Sequence, residues 1–246
     1  MSLGWLTPDW PAPQGVRALS TWRTGGVSTR AYASLNLGCH VGDSPAAVAE
    51  NRRQLALAAH LPAEPHWLRQ VHGTGVADLD APLSAQLAGA DAAFTRRRAC
   101  VCAILTADCV PVLFAARNGS AVAASHAGWR GLAAGVLAAT TAAVAIDAGA
   151  LLAWIGPCIG PEAYEVGPDV HGQMLGACPS AAAAFRINIR GRYQADLALI
   201  ARLQLQRLGI SRIYGGGVCT YTDANHYFSH RRDGQTGRQA TLIWLE

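Results

Sequence analysis

The chain has 246 residues, 51% of them hydrophobic and 15% charged, and its formal net charge of +4 comes from arginine alone, with no lysine present. That length and apolar fraction are ample for one large domain, residues 1–246, with an extensive core. The single basic run, Arg96-Arg97-Arg98, has no stripe of aromatic residues beside it, so it reads as a solvated hairpin end and points away from a nucleic-acid partner.

Seven cysteines is an odd count, and none of them forms a CxxC pair. The start, Met1-Ser2-Leu3-Gly4-Trp5, lacks the basic and apolar regions of a secretory leader. A cytoplasmic, reducing location with thiols free or metal-bound is therefore expected. Leu132–Leu152 is apolar enough to test as a membrane span, but it is mostly Ala, Gly and Thr with Asp147 inside. A buried, alanine-rich helix is expected there, and no membrane partner.

In chain order, Val16–Trp22 reads as a strand running into Arg23-Thr24-Gly25-Gly26-Val27-Ser28. Adjacent glycines permit a tight turn whose N–H groups could face an anion, with Arg23 beside it; an ordinary hairpin turn is the alternative. Asn36, between Leu35 and Leu37, either points into a pocket or satisfies a turn. Ser44-Pro45 is a helix start, and a helix is expected to His60. Strands are expected at His66–Val71, from Gly75 to Leu79, and over Gly89–Thr95 with Asp91 at its beginning. Ala99–Leu105 is continuously apolar, as in a strand buried on both faces, and the apolar run resumes at Val110–Ala115 after Thr106-Ala107-Asp108-Cys109. Ala121–Ser125 is a further strand, followed by a long helix from Trp129-Arg130-Gly131 to about Asp147. A strand–glycine–helix join leaves helix N–H groups free, so Arg130 is a candidate phosphate or carboxylate contact. Leu151–Ile155, a helix from Pro168 to about Gly176, a helix to Leu208 capped by Asp196, a strand at Ile210–Tyr214 and a closing strand ending at Leu245 complete the pattern. The low charged fraction suggests extensive burial, as in two sheets packed together.

Three of these strand ends carry a soft or imidazole donor: His72, Cys109 and His126. Two histidines and a cysteine, far apart in sequence, make the three-ligand pattern of a catalytic zinc site, whose fourth position stays open for water or substrate. Ordinary structural roles at strand ends are the alternative. Asp108 points opposite to Cys109 in an extended chain, so it reads as a supporting or substrate carboxylate, as a general base if the bend re-aims it, or as a turn cap.

The set Arg23-Thr24-Gly25-Gly26-Val27-Ser28, Ser34-Leu35-Asn36-Leu37-Gly38, Gln70-Val71-His72-Gly73, Ala107-Asp108-Cys109, His126-Ala127-Gly128-Trp129-Arg130-Gly131, Ile155-Gly156-Pro157-Cys158-Ile159-Gly160-Pro161, Tyr164-Glu165-Val166-Gly167 and Thr236-Gly237-Arg238-Gln239-Ala240 resembles the YfiH/LACC family, also called the multicopper polyphenol oxidoreductase or laccase-domain family. The matches keep the family's order over nearly the whole chain. The resemblance implies a single α/β (α+β) domain of layered mixed sheets flanked by helices, akin to the cysteine-hydrolase-like fold of cytotoxic necrotizing factor, with zinc (copper in older descriptions) on His72, Cys109 and His126. It implies a purine nucleoside phosphorylase that also deaminates adenosine and cleaves methylthioadenosine, with a nucleoside and phosphate as small-molecule partners. Other members are described as copper-dependent phenol oxidases or as editors of peptidoglycan precursors. One departure is Thr222, where many members are expected to carry a second cysteine; this weakens a multi-copper reading, which needs more soft ligands.

On that basis Asp108, Cys109 and His126 are the expected catalytic residues, and Arg23, Asn36 and Arg130 the expected substrate contacts. A cysteine hydrolase with Cys109 as nucleophile and His126 as base is a second class. A non-enzymatic zinc-binding module is a third.

Overall fold

Val101–Thr106 and Val110–Ala116 are buried at every position, so each needs a layer of protein on both sides. The computed structural model, which describes residues 3–82 and 89–246, supplies those layers. Strands β1 (Trp5–Leu6) and β2 (Val16–Thr21) precede helix α1 (Pro45–Ala58). Then come β3 (His66–Trp67), β4 (Val76–Asp78), β5 (Ala92–Thr95), β6 (Val101–Thr106), β7 (Val110–Ala116) and β8 (Val122–Ala127). Helices α2 (Trp129–Ala134) and α3 (Val136–Val144) lead to β9 (Leu151–Ile155), β10 (Glu165–Val166) and α4 (Pro168–Ala177). The chain continues through β11 (Phe185–Ile187), β12 (Tyr193–Ala195), α5 (Leu197–Arg207), β13 (Arg212–Gly215), α6 (His230–Asp233) and β14 (Gln239–Leu245).

One sheet has the order β1-β2-β14-β6-β3, a second β13-β9-β7-β8-β5-β4, and a small third β10-β12-β11. Both large sheets are mixed: β3 lies parallel to β6, β4 to β5 and β13 to β9, with the remaining pairs antiparallel. Side chains alternate across each strand, and the alternation builds the layers. Cys102 and Ile104 of β6, with Ile243 and Leu245 of β14, meet Leu113, Ala115, Val122 and Ala124 of the second sheet. The intervening Val101, Ala103, Leu105, Leu242 and Trp244 turn the other way, onto Leu55 of α1 and onto Leu35 and Leu37. On the far side of the second sheet Val112, Phe114, Ala123 and Ile155 pack with Leu132, Leu137, Met174 and Ile200 of α2, α3, α4 and α5. The result is a helix–sheet–sheet–helix stack, the mixed α/β architecture that the family resemblance implies.

Several elements differ from expectation. The long helix after Arg130 is two helices, because Gly135 adopts a left-handed conformation (φ 91°) that ends α2 and opens α3, and Ala145 (φ 55°) ends α3 early. The strand expected over His66–Val71 stops at Trp67, since the Val71–Gly73 amides turn to a carboxylate instead of a ladder. Ser44 does precede α1 but makes no side-chain cap, whereas Asp196 caps α5 by accepting from the Leu199 N–H at 2.9 Å. Among the described residues no helix is long and apolar enough to cross a membrane.

Candidate metal centre

The connection between β6 and β7 carries the chain from the first sheet to the second, and Asp108 and Cys109 sit on it. Asp108 has φ 93°, a conformation that costs a non-glycine residue of order 1–3 kcal/mol unless its surroundings hold it. Its carboxylate accepts from Thr220 Oγ1 at 2.7 Å and from the Arg231 N–H at 2.7 Å, and its carbonyl from the Ile159 N–H at 2.9 Å. Three remote loops therefore fix this bend, and the bend places Cys109 at the head of β7. Register does the rest: Pro111 pairs with His126 and Val110 with Ala127, which brings the end of β8 beside the start of β7.

His126 is buried, and its Nδ1 lies 2.8 Å from Asp91 Oδ1. Its backbone N–H also donates to the Asp91 carbonyl at 2.6 Å. The same Asp91 carboxylate accepts the successive N–H groups of Val71 (3.1 Å), His72 (2.9 Å) and Gly73 (2.7 Å). This ring of amides is an anion nest filled by the protein's own side chain, and it stabilises the left-handed backbone of His72 (φ 60°). One fully buried carboxylate thus orients the His126 imidazole, as metal-ligating histidines are held elsewhere, and fixes the backbone that carries His72. Burial would raise the Asp91 carboxyl, but His126 and the Gly73 and Val71 amides outweigh it and bring it below its ordinary value.

The donor atoms of His72, Cys109 and His126 all lie within 4.8 Å of one another, with Cys109 Sγ 3.9 Å from His72 Nε2. They form the one group of three or more such residues, among those described, placed to share an ion. The imidazoles meet edge to face with centroids 4.7 Å apart. Gly128 closes over them: a Cβ there would stand 2.9 Å from Cys109 Sγ and 3.1 Å from His72 Cδ2, so only glycine leaves the donors room. Burial alone would raise the Cys109 thiol, but the charge of His126 and hydrogen bonds from His126 and His72 pull it down to about 6. Burial likewise opposes the His126 imidazolium, yet the Cys109 thiolate and Asp91 push it up to about 9. A readily formed thiolate and two imidazoles, one of them held by a carboxylate, fit a transition-metal ion such as zinc.

The other expected site residues fall in three places. Arg130 is exposed at the start of α2, and its guanidinium stacks 4.4 Å over the Trp129 ring. It lies two residues after Gly128, which closes over the donors, so it stands on the side of the fold that carries the centre. Arg23 is engaged elsewhere, donating to the carbonyls of Ala33 (3.1 Å) and Ala224 (3.4 Å), facing Asp233 at 3.8 Å and lying 4.5 Å over Phe228. It borders a separate cleft of about 710 Å³ whose lining includes Trp22, Gly25, Gly26 and His226 but none of the three donors. The expected anion turn is also spent internally, because the Gly26 N–H donates to Ser34 Oγ (3.1 Å) and the Val27 N–H to Asn51 Oδ1 (2.8 Å). Gly26 is required for close packing, since a Cβ would meet the Ser34 carbonyl at 2.4 Å. Asn36 is wholly buried and makes four bonds, to Gly38 N and O, Asp43 Oδ2 and the Arg238 N–H, so it clamps two loops together. Asp91 was not singled out by the sequence as a functional residue; its only signal is an acid at the mouth of an apolar strand.

A three-donor His/Cys/His centre at one end of two stacked mixed sheets defines an α/β protein with a candidate metal site. The chain belongs to the family described as multi-copper polyphenol oxidoreductase laccase, which matches residues 17–246. It is 49% identical to the purine nucleoside phosphorylase YfiH of Escherichia coli over 241 residues, covering 98% of each chain. It is 48% identical to a purine nucleoside phosphorylase of Pseudomonas aeruginosa over 243 residues, again covering 98% of each. A Neisseria meningitidis crystal structure of the DUF152 family superposes with a TM-score of 0.93 at 48% identity, covering 98% of this chain and 99% of that one. YlmD of Geobacillus stearothermophilus superposes with a TM-score of 0.90 at 35% identity, covering 99% and 96%. The family read from the motifs is thus the family found.

Proposed function

We propose that the chain is a zinc-dependent purine nucleoside phosphorylase that also deaminates adenosine. The observation that carries this reading is the Asp91-held His72–Cys109–His126 centre in a chain 48% identical to proteins named purine nucleoside phosphorylase. Phosphorolysis converts adenosine and phosphate to adenine and ribose 1-phosphate: an oxygen of phosphate bonds to C1′ as the C1′–N9 bond breaks and its electron pair leaves with the base. Deamination converts adenosine and water to inosine and ammonia. A zinc ion on His72, Cys109 and His126 would supply Lewis acidity and an open coordination position.

The residues around it take defined roles. Asp91 holds the His126 tautomer, leaving Nε2 for the centre. Asp108, whose two oxygens each keep a free lone pair beyond their single hydrogen bonds, is the group that moves protons at the substrate. Arg130, beside Trp129 and Tyr164, contacts the substrate, while Arg23 and Asn36 support the loops around it. Residues 1–246 act as one unit, and seven unpaired cysteines suit a reducing cytoplasm.

Product identification tests the reading. Metal-loaded protein given adenosine should yield adenine and ribose 1-phosphate only when phosphate is present, and inosine in its absence. No turnover under either condition would overturn it. A second reading, a cysteine hydrolase, rests on the thiolate–imidazolium pair that Cys109 and His126 favour without metal. Activity insensitive to chelators but abolished by thiol alkylation would select it.

A further inference from the structure

The Asn36 clamp does more than close a turn. Its Oδ1 accepts the N–H groups of both Gly38 (3.0 Å) and Arg238 (2.9 Å), and the Leu37 N–H donates to the Arg238 carbonyl at 3.0 Å. Arg238 and the loop bearing His40 are therefore sewn side by side. The Arg238 stem lies against Gly38, where a Cβ would stand 2.9 Å from its Cγ. Arg238 Nη1 is anchored on the carbonyls of Thr236 (3.0 Å) and Gly237 (2.9 Å). Among the described residues, Nε and Nη2 meet no acceptor, and none of the ten ion pairs includes this guanidinium.

The location of this half-used arginine is the second point. Gln239 pairs with Thr106 at the end of β6, so Arg238 stands beside the Ala107–Cys109 bend that carries the metal centre. Asp108 forms no ion pair with it; its carboxylate oxygens face Thr220 Oγ1 and the Arg231 amide, one bond each. His40 is exposed, two residues beyond Gly38 in the loop that the Asn36 clamp ties to Arg238. Arg52 is itself spent on the Leu37 carbonyl, through Nε (3.1 Å) and Nη2 (2.8 Å), and on the face of Trp67 at 4.1 Å. Partial desolvation first, and then Arg238 and Arg52, hold the His40 imidazolium below its ordinary range.

We propose that Arg238, with His40 beside it, forms an oxyanion subsite that takes inorganic phosphate next to the His72–Cys109–His126 centre. The free Nε and Nη2 of a guanidinium are the edge that grips two oxygens of a tetrahedral anion at once, which a lysine cannot do. The assignment rests on the phosphorylase reading for its use, and it moves the phosphate contact away from Arg23 and from the helix start at Arg130. Asn36 then acts through Arg238 as a positioning residue.

The test uses the full-length, metal-loaded protein with Arg238→Gln, Arg238→Lys and His40→Gln. Initial rates of adenosine phosphorolysis are measured while phosphate and nucleoside are varied separately, and inorganic phosphate is titrated calorimetrically in parallel. Arg238→Gln should raise KM for phosphate at least about tenfold, with KM for adenosine changed less than about twofold, and Arg238→Lys should fall between it and the parent. His40→Gln should raise KM for phosphate about three- to tenfold; because His40 is exposed, it tests the subsite even if Arg238→Gln misfolds. Unchanged phosphate affinity in His40→Gln and Arg238→Lys overturns the proposal. So does a dependence of adenosine 5′-monophosphate binding, but not phosphate binding, on Arg238, which would give the subsite to a nucleotide's own phosphate. Calorimetric phosphate binding that is lost in the variants, in a protein that does not turn over adenosine, upholds the subsite and overturns the phosphorylase reading instead.

Discussion

Cys102 and Cys109 belong to the same stretch of chain and have opposite chemistry. Cys102 lies in the middle of β6, between the two sheets with Ile104, Leu113 and Ile243, and burial there pushes its thiol well above the ordinary range, with Cys100 and Asp80 adding to the shift. Cys109 also feels an upward push from burial, but two imidazoles face it and bring it down to about 6. Cys158 behaves like Cys102, raised by burial and then by Asp196, although Cys109 and Asp108 are within its reach. Burial has the same sign at all three cysteines. What sets Cys109 apart is the pair of histidines that strand register and the Asp91 nest deliver to it.

The sharpest way to break that comparison is to remove each thiol in turn. Cys109→Ala takes one of three donors and should lower bound metal to a small fraction of one ion per chain, with activity down by at least about a thousandfold. Cys102→Ala should keep full metal content and activity while costing about 1–2 kcal/mol of stability through the cavity it leaves between the sheets. Metal analysis by plasma emission and thermal melts on the two variants decide the matter. Equal metal loss in both would mean that the centre depends on the sheet packing and not on the donor.

Asp91 is the next lever. Asp91→Asn leaves a similar shape without the charge and should weaken metal binding by about 10- to 100-fold in competition with a chromophoric chelator. Asp91→Ala should do the same and also cost about 3 kcal/mol or more, because the buried amides of Val71, His72 and Gly73 lose their acceptor. A variant with normal metal affinity would show that His72 and His126 need no carboxylate to stay in place.

A smaller effect is expected from pH in the metal-stripped protein. Cys109 falls from an ordinary 9.0 to about 6, so its contribution to stability is full above 9.0 and disappears as pH drops through about 6. His126 rises from 6.5 to about 9, so its contribution is full below 6.5 and disappears as pH rises through about 9. The pair therefore stabilises the fold mainly between about pH 6 and about pH 9. Chemical denaturation across about pH 5–10 should show a plateau in that window, and iodoacetamide should label Cys109 with a midpoint near about 6 while Cys102 and Cys158 stay unlabelled. Because metal requires neutral imidazole and thiolate, loading should release about one proton at about pH 7.5.

The three donors were legible because each stands at the end of an apolar run, where a strand must stop and show a side chain. The buried strands were legible for the same reason, since Val101–Thr106 contains no polar face to place outward. Asp91 was not, because its role depends on four groups that come from two other segments, and one acid at a strand mouth carries no trace of them. Arg238 stood in plain view in Thr236-Gly237-Arg238-Gln239-Ala240, yet its link to the loop of His40, through the Asn36 clamp and the Leu37 amide, appears only in the fold. Arg23 looked better on paper, beside two glycines, but Gly26 is there for close packing against Ser34 and Asn51. The break in the long helix lay in Gly135, a residue a helix tolerates in its interior at about 1 kcal/mol and favours at its end.

The smallest expected effect bears on Cys158. Asp196 caps α5 through the Leu199 N–H and is also the charge that, after burial, most raises the Cys158 thiol. Asp196→Ala should cost about 1 kcal/mol from the lost cap. It should also remove part of the upward push on Cys158, leaving burial in place. If partners decide thiol chemistry, losing a repelling partner is not equivalent to gaining an attracting one, and Cys158 should remain unlabelled by iodoacetamide at about pH 8 in the folded variant. Labelling at a rate near that of Cys109 would mean that a single carboxylate, and not burial, keeps this cysteine inert, and the contrast between the two thiols would then be one of nearby charge alone.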